Sequence, residues 1–262
     1  MTLIVYEHPL SPYAQKVKIA LDEKGIAYEV RMPAAIGSGQ PDREFLLANP
    51  RGEVPALVDG ETRIFDSTII LEYIEDKWPT PALLPATPAD RAVARTIEDV
   101  MDTLFEPINW GMGEIRWFKR AEGERARTIE VAAAGQARGI YQWLSRHLGD
   151  KEWFGGERFG WADLSVVPYM NGALGSGFAP DKGSKLSAWL ERANARSSVA
   201  KSSKAAADVV AQMANVAGAV RSGVFKREYR DHRLEWMIRS GGIEVVLEGL
   251  AANNIRFSNE LS

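Results

Sequence analysis

The chain has 262 residues, of which 45% are hydrophobic and 26% charged; this is ordinary for a soluble globular protein and allows one large domain or two modest ones. Its net charge of −3 excludes a global basic field that would attract nucleic acid. The sequence contains no run of about 18 apolar residues, so it predicts no membrane span. Its first residues lack the basic and apolar parts of a signal peptide, and we therefore expect a cytoplasmic protein.

The first 80 residues alternate between strand and helix patterns. Apolar positions at helical spacing predict three helices, and β-branched and aromatic runs predict four strands. Gly60-Glu61 separates the last two strands and predicts a tight antiparallel turn. The order β-α-β-α-β-β-α therefore predicts a small α/β domain. The strands are predicted at residues 3–7, 28–32, 56–59 and 62–65, and the helices at 14–24, 42–48 and 67–77.

Strand patterns fade after residue 90, and the rest of the chain predicts an all-α bundle. We predict a first domain over residues 1–79, a proline-rich linker over 80–89, a helical domain over 90–220 and a C-terminal extension over 221–262 that packs over the body. Gly111 and Gly113 predict a bend or loop. The helices are predicted at 91–106, 125–148, 162–174, 186–195 and 205–217.

Ser11 lies between the first strand and the first helix, followed by Pro12, which is tolerated at the first helical position. Helix N-termini carry free N–H groups and a partial positive charge, and they can lower the pKa of a thiol from about 8.5 to roughly 3.5–7.5. A hydroxyl at this place can stabilise a bound thiolate. A plain helix cap explains the same residue without a ligand.

Two further motifs suit a bound peptide. Val54-Pro55 leads into the third strand as a candidate cis peptide bond, which would turn the Val54 backbone toward an extended ligand. Asp66-Ser67 opens the third helix, whose N-terminus can hold a carboxylate while Asp66 pairs with an ammonium group. An edge-strand proline and a helix cap are the alternatives that need no ligand.

Three stretches, in this order and spacing, closely resemble the soluble glutathione transferase family: Ser-Pro-Tyr-Ala-Gln-Lys-Val at residues 11–17, Asn-Pro-Arg-Gly-Glu-Val-Pro-Ala-Leu at 49–57 and Phe-Asp-Ser-Thr-Ile-Ile-Leu-Glu-Tyr-Ile at 65–74. Residues 159–164 resemble a helix-initiating motif of the family's C-terminal domain, and residues 189–193 resemble its late helix. The resemblance, which is to bacterial members with a serine-type site, implies a thioredoxin-like N-terminal domain followed by an all-α helical bundle.

The resemblance implies that glutathione lies along the first domain. Ser11 would activate the thiol. Val54 would pair with the cysteinyl backbone, beside a cis Pro55. Asp66 and Ser67 would hold the γ-glutamyl end.

Gln40 stands where a family residue often reaches the glycyl carboxylate of glutathione. Tyr6 is a rival to Ser11, because some classes use a tyrosine near the first strand; Ser11 is favoured because Tyr6 lies within the strand pattern. Gly160 departs from the family, which usually has Ser or Thr there, so Asp163 is expected to satisfy this helix start alone.

The chain has no cysteine, which excludes disulfides, cysteine metal sites and cysteine nucleophiles. Its three histidines are far apart in sequence, and no multi-histidine metal site is expected. Family members with cysteine at the position of Ser11 form mixed disulfides with glutathione, which this chain cannot do. We therefore expect glutathione to add to an electrophile or to displace its leaving group.

A hydrophobic electrophile is expected between the two domains. An aromatic-rich stretch after the first bundle helix is the candidate lining, although such residues also pack bundles without a ligand. Trp236 of the extension is a further candidate. The candidate pocket residues are Tyr13, Trp110, Met112, Trp117 and Tyr169.

Several activities fit these residues. The main expectation is a glutathione S-transferase that conjugates small hydrophobic electrophiles, as in detoxification. Glutathione-dependent dehalogenation, aromatic ether cleavage and peroxidase activity toward organic hydroperoxides would use the same residues. A non-catalytic ligand-binding or interaction protein of the same fold is the remaining alternative.

The resemblance also implies a homodimer, with the first domain of one subunit against the second domain of the other.

Overall fold

The computed structural model describes residues 2–34, 43–211, 213, 216–229 and 231–256. Its first part has the predicted order β-α-β-α-β-β-α, and every end lies within two residues of the predicted one. The elements are β1 (Leu3–Tyr6), α1 (Pro12–Glu23), β2 (Tyr28–Arg31), α2 (Arg43–Ala48), β3 (Ala56–Asp59), β4 (Thr62–Phe65) and α3 (Ser67–Lys77).

The four strands form one mixed sheet in the order β2-β1-β3-β4. β1 is parallel to β2, and the pairs β1–β3 and β3–β4 are antiparallel. Tyr6, Ala56 and Phe65 are direct partners in neighbouring strands and form one row across the sheet. The chain leaves β1, enters β3 and leaves β4 at this row, so the segments beyond it share one edge of the sheet.

Side chains alternate along each strand and divide between the two faces of the sheet. Val5 and Leu57 lie in the main core with the apolar sides of α1 and α3. Tyr6 and Ala56 belong to a smaller core on the other face, together with Phe45 of α2. The helices α1 and α3 therefore cover one face of the sheet and α2 covers the other.

The second part is helical, apart from two short strands that pair in parallel. Among the described residues, no helix has both the length and the apolar character needed to cross a membrane. The helices are α4 (Pro88–Val100), α5 (Glu106–Arg116), α6 (Gly123–Leu148), α7 (Trp161–Gly175), α8 (Lys185–Asn194), α9 (Ser197–Val210), α10 (Val216–Arg221), α11 (Asp231–Arg239) and α12 (Ile243–Ala251), and the strands are β5 (Arg227–Glu228) and β6 (Ile255–Arg256).

Two helix predictions were wrong in extent. A π-helical turn, Met101–Phe105, joins α4 to α5, so the helix runs through Gly111 and Gly113, where a bend was predicted. The helix predicted at 205–217 begins earlier, at Ser197, and ends at Val210. Its first turns bury Ser198 and Ser202, small polar residues that hide the apolar periodicity on which the prediction depended.

The main core runs without interruption from the sheet into the helical bundle. α1 packs against α3 on the sheet side and against α7 and α9 on the bundle side. The N-terminus of α1 is therefore fixed by both parts of the molecule.

Candidate active site

Three of the sequence motifs meet at one edge of the sheet, beyond the row that ends β1, begins β3 and ends β4. Ser11 follows β1, Val54-Pro55 precedes β3, and Asp66-Ser67 follows β4. These residues are far apart in sequence, but their strands are neighbours, so the motifs lie side by side. Gln40 lies outside the described residues.

Ser11 is the N-cap of α1, and its hydroxyl oxygen accepts a hydrogen bond from the Ala14 N–H at 3.3 Å. The Ser11 N–H donates to the His8 carbonyl oxygen at 2.8 Å, which fixes the turn between β1 and α1. A hydroxyl has two acceptor lone pairs and one O–H donor. Capping uses one of the acceptor lone pairs and leaves the O–H free to act as a donor. The same serine can therefore cap α1 and donate a hydrogen bond to a bound thiolate.

The Val54-Pro55 peptide bond is cis, which confirms the prediction. Buried Asn49 organises the loop before it. The Asn49 amide donates to the Glu53 carbonyl oxygen at 2.6 Å, and the Arg51 N–H donates to the Asn49 side-chain oxygen at 3.0 Å. The backbone that leads into Val54 is therefore held by a buried side chain.

Asp66 caps α3, and its carboxylate accepts from the N–H groups of Thr68 and Ile69 at 3.0 and 3.3 Å. Its φ of 75° lies in a region that residues with a Cβ rarely adopt. Such backbone conformations persist where the surroundings fix them, and they cluster at ligand sites. Ser67, the first residue of α3, is buried.

Tyr6 lies on the face of the sheet opposite α1. Its ring packs on Phe45 with centroids 5.3 Å apart, and its hydroxyl donates to Glu44 at 3.1 Å. Burial raises the pKa of the Tyr6 hydroxyl, and the Glu44 carboxylate adds to the rise although Arg31 opposes it. This phenol is engaged with α2, whereas Ser11 starts a helix on the other face.

Sequence reasoning did not single out Lys16, whose side chain is fully buried in α1. Its ammonium lies 2.5 Å from a Glu98 carboxylate oxygen and 2.6 Å from an Asp102 oxygen. The Thr68 hydroxyl donates to Glu98 at 2.9 Å. One buried cluster thus joins the helix that begins at Ser11 to the first turn of α3.

The same cluster extends into the bundle. The Tyr169 hydroxyl donates to the Asp102 carboxylate at 2.6 Å, the Tyr13 hydroxyl donates to the Asp102 carbonyl oxygen at 2.9 Å, and the Trp161 indole donates to Glu98 at 2.5 Å. Burial raises the pKa of Asp102, although the Lys16 charge opposes this. The spacing of Glu98 and Asp102, four residues apart on one helix side, is the sequence signal for this cluster.

Comparisons with known proteins agree with this geometry. Residues 5–82 match the family model described as glutathione S-transferase, N-terminal domain, and residues 98–197 match that of the C-terminal domain. Glutathione S-transferase U28 of Arabidopsis thaliana is 32% identical over 206 residues, which cover 76% of this chain and 87% of that one. The chain belongs to the glutathione S-transferase family.

Two further relatives show the range of this family. Maleylacetoacetate isomerase of Pseudomonas aeruginosa is 32% identical over 194 residues, covering 69% of this chain and 85% of that protein. A solved structure of rice GST1 in complex with glutathione has a TM-score of 0.64 and 28% identity, covering 81% of this chain and 96% of that one. The thioredoxin-like domain followed by a helical domain, as predicted, is the architecture of this family.

Of the candidate pocket residues in this transferase chain, Tyr13 and Tyr169 lie together, with ring centroids 6.1 Å apart in an edge-to-face arrangement. Met112 is buried in a second core, and Trp110 packs against that core. Trp117 follows α5. At 1.5 Å per helical residue it lies about 20 Å from the helix turn that Tyr13 contacts. The structure therefore joins Tyr13, two residues after Ser11, to Tyr169, and it places Trp110 and Met112 at the second core.

Gly160 begins α7, where the family usually has Ser or Thr, and the surroundings explain the departure. A Cβ at Gly160 would lie 2.5 Å from the Leu83 carbonyl oxygen, which accepts from the Trp161 N–H at 2.8 Å. Asp163 satisfies the helix start instead, because its carboxylate accepts from the Gly160 N–H at 3.0 Å and the Trp189 indole at 2.7 Å. Burial raises the pKa of Asp163 to about 6.

Proposed function

We propose that this protein is a glutathione transferase of the serine type, in which enzyme-bound glutathione attacks a small hydrophobic electrophile. The observation that carries the proposal is the meeting of Ser11, Val54-Pro55 and Asp66-Ser67 at one sheet edge. Ser11 supplies a hydroxyl, Val54-Pro55 supplies a peptide backbone that lies outside the strands, and Asp66-Ser67 supplies a helix N-terminus beside a carboxylate. A peptide thiol with a free amino acid end would engage all three.

In the proposed complex, the γ-glutamyl carboxylate is held at the N-terminus of α3, and its ammonium group pairs with Asp66. The cysteinyl backbone pairs with Val54, beside Pro55, and Gln40 is assigned to the glycyl carboxylate. This arrangement places the thiol toward the start of α1. Domain 1–79 would hold glutathione, and domain 90–220 would supply most of the electrophile site.

Ser11 is proposed to activate the thiol. Its hydroxyl donates a hydrogen bond to the thiolate, and the partial positive charge at the α1 N-terminus favours the same ionised form. The thiol proton leaves to solvent, the sulfur forms a bond to the electrophilic carbon, and the leaving group takes the electron pair of the bond that breaks. Tyr6 is excluded from this role in the proposal, because its hydroxyl is bonded to Glu44 on the other face of the sheet.

We further propose a cytoplasmic homodimer, as the family resemblance implies. The resemblance to bacterial members stays a prediction. Conjugation is preferred over the carrier alternative, because the three motifs are all present and assembled in one place.

The test is the ionisation of the bound glutathione thiol, followed by thiolate absorbance against pH. We expect wild type to lower the thiol pKa clearly below the free value of about 8.5, and Ser11→Ala to raise it by at least about one unit. Tyr6→Phe is the matched control and should leave the bound pKa unchanged. A lowered pKa that Ser11→Ala does not move would contradict the assignment, and absence of glutathione binding would contradict the proposed function itself.

A further inference from the structure

The segment between β1 and α1, residues 7–11, sets the position of the Ser11 hydroxyl, and His8 fixes this segment twice. The Ser11 N–H donates to the His8 carbonyl oxygen at 2.8 Å, which closes a turn through the backbone. The second hydrogen bond uses the side chain, because the Leu10 N–H donates to Nδ1 of the His8 ring at 3.3 Å. Leu10 precedes Ser11 directly, so the ring restrains the peptide unit next to the serine.

The second bond requires a neutral ring. In a neutral imidazole one nitrogen carries a hydrogen and the other accepts. Because Nδ1 accepts from the Leu10 N–H, the hydrogen of the neutral His8 ring is on Nε2. In the protonated ring both nitrogens are donors. Protonation of His8 would therefore replace this hydrogen bond by two N–H groups that face each other.

The charged groups around His8 favour its neutral form. Burial lowers the pKa of the His8 ring, and the charge of Lys18 on α1 lowers it further. Lys18 is held in place by Glu7, which follows β1, at 2.9 Å. Burial raises the pKa of Tyr28 on β2, and Asp22 and Glu7 add to the rise, so this phenol stays neutral in acid. His8 therefore gains its charge at a pH below the ordinary value of 6.5.

The remaining bonds of the turn do not involve the His8 ring. The Gln15 side-chain amide of α1 donates to the Pro9 carbonyl oxygen at 2.8 Å, and the Gln15 N–H donates to the Ser11 carbonyl oxygen at 2.9 Å. Proline also restricts the backbone of the residue before it, which is His8. Loss of the ring's hydrogen bond would therefore loosen the peptide next to Ser11 without unfolding the turn.

We propose that His8 is a positioning residue for Ser11: its neutral ring fixes the turn that orients the serine hydroxyl toward the glutathione thiol, and protonation of the ring releases that turn. The protein then loses thiol activation in mild acid through a group that does not touch the substrate. This inference rests on the proposed function, because it concerns how Ser11 of the same site is held.

The tautomer of His8 can be observed without any substrate. Nitrogen-15 NMR distinguishes the ring nitrogens of the three histidines, and the signals that disappear in His8→Asn belong to His8. We expect a neutral ring at pH 7.5 with its hydrogen on Nε2, and a titration midpoint below 6.5. A hydrogen on Nδ1 would overturn the inference.

Two substitutions separate the hydrogen bond from the rest of the side chain. His8→Leu removes the acceptor, so we expect kcat/KM at pH 7.5 to fall about fivefold and the pKa of the bound thiol to rise by about half a unit. His8→Asn places an oxygen as many bonds from the backbone as Nδ1. Because asparagine commonly accepts from the N–H two residues on, this variant should recover most of the loss.

The assay uses glutathione and 1-chloro-2,4-dinitrobenzene. The glutathione sulfur bonds to the ring carbon that carries chlorine, chloride leaves with the electron pair, and the thiol proton passes to solvent. In wild type, log kcat/KM should fall below pH 6.5 more steeply than one proton allows, because protonation of the thiolate and of His8 both remove activity. In His8→Asn the slope should be one. Far-UV circular dichroism at each pH shows that the chain is folded.

His147→Leu is the matched control, because the ring of His147 bonds to the Trp143 carbonyl oxygen within α6. It should keep the wild-type slope and thiol pKa. An equally steep fall in wild type and His8→Asn would overturn the inference and assign the acid loss to other groups such as Asp163, whose pKa is raised to about 6.

Equal losses in His8→Leu and His8→Asn would also overturn the inference, since they would assign the effect to packing of the ring. In both cases a lowered thiol pKa in wild type leaves the proposed function standing. Wild type that does not lower the thiol pKa would contradict the proposed function, and this inference with it. If His8→Leu does not fold, the slope of His8→Asn and the tautomer in wild type still decide.

Discussion

Removal of the Lys16 ammonium would leave Glu98 and Asp102 as buried carboxylates without their cation. Loss of one partner of a buried ion pair typically costs about 3–5 kcal/mol, because the remaining charge stays desolvated. We expect Lys16→Met to lower the free energy of unfolding by about this amount, measured by urea denaturation.

Lys204→Met is the control, because Lys204 pairs with Asp208 on the exposed side of α9. An exposed pair of this kind contributes no more than about 1 kcal/mol, so this variant should unfold close to wild type. Equal effects of the two substitutions would show that the buried cluster does not hold the domains together.

The two helix starts of the proposed glutathione site could be predicted from sequence because each one is determined locally. Ser11 and Asp66 begin helices, and caps follow from residue type and position. The order of the motifs then identified the family. Lys16 could not be predicted, because its two partners are more than 80 residues away and only the folded chain brings them to α1.

At the scale of elements, α11 is attached to α5 by a carboxylate whose pKa is lowered in the folded state. Glu106 titrates at about 2, compared with an ordinary value of 4.5. Its contribution is therefore complete above the unfolded pKa and is lost as the pH falls toward 2. The lowered pKa corresponds to about 3 kcal/mol of stability at neutral pH.

We expect Glu106→Gln to lower the free energy of unfolding at pH 7 by about 3 kcal/mol, and the difference from wild type to shrink steadily below about pH 4.5. Urea unfolding at a series of pH values, followed by tryptophan fluorescence, measures both. Glu235→Gln serves as the control, because its partner Arg239 is an exposed residue of the same helix. A difference that stays constant with pH would rule out the ion pair as its source.

Helix α5 shows where element prediction fails. Glycine at positions 111 and 113 normally weakens a helix, and the local pattern therefore predicted a bend. In the structure these positions face Trp236 and Trp117, whose rings leave no room for a Cβ at Gly111 and little at Gly113. The requirement for glycine comes from tertiary packing, which periodicity along the chain does not reveal.

At the scale of the whole molecule, the two-part architecture could be predicted, but the placement of the extension could not. Alternation of strands and helices distinguishes the first part from the second. The chain after residue 90 was predicted to be all-α, and α11 and α12 agree with this in the tail. Their position on α5 depends on long-range pairs such as Arg233 with Glu106. These pairs join segments over 120 residues apart, and no local pattern matches them.

The proposed homodimer needs a surface of its own, and α3 and α4 offer one. Ile69 of α3 and Val93 of α4 are 58% and 44% exposed. Both lie within one helical turn of the ion pair between Glu72 and Arg95, which joins the two helices at 2.5 Å. We therefore propose this face of α3 and α4 as the dimer interface.

We expect Ile69→Glu and Val93→Glu each to weaken self-association by at least about tenfold, because a carboxylate buried in the interface would have to be desolvated. Sedimentation velocity over a range of protein concentrations measures the change. Val224→Glu places the same charge on an exposed residue of the extension and should leave association unchanged. If all three variants sediment as wild type does, the subunits meet elsewhere. If Ile69→Glu gives monomers that still lower the thiol pKa of bound glutathione, then one subunit holds a complete glutathione site.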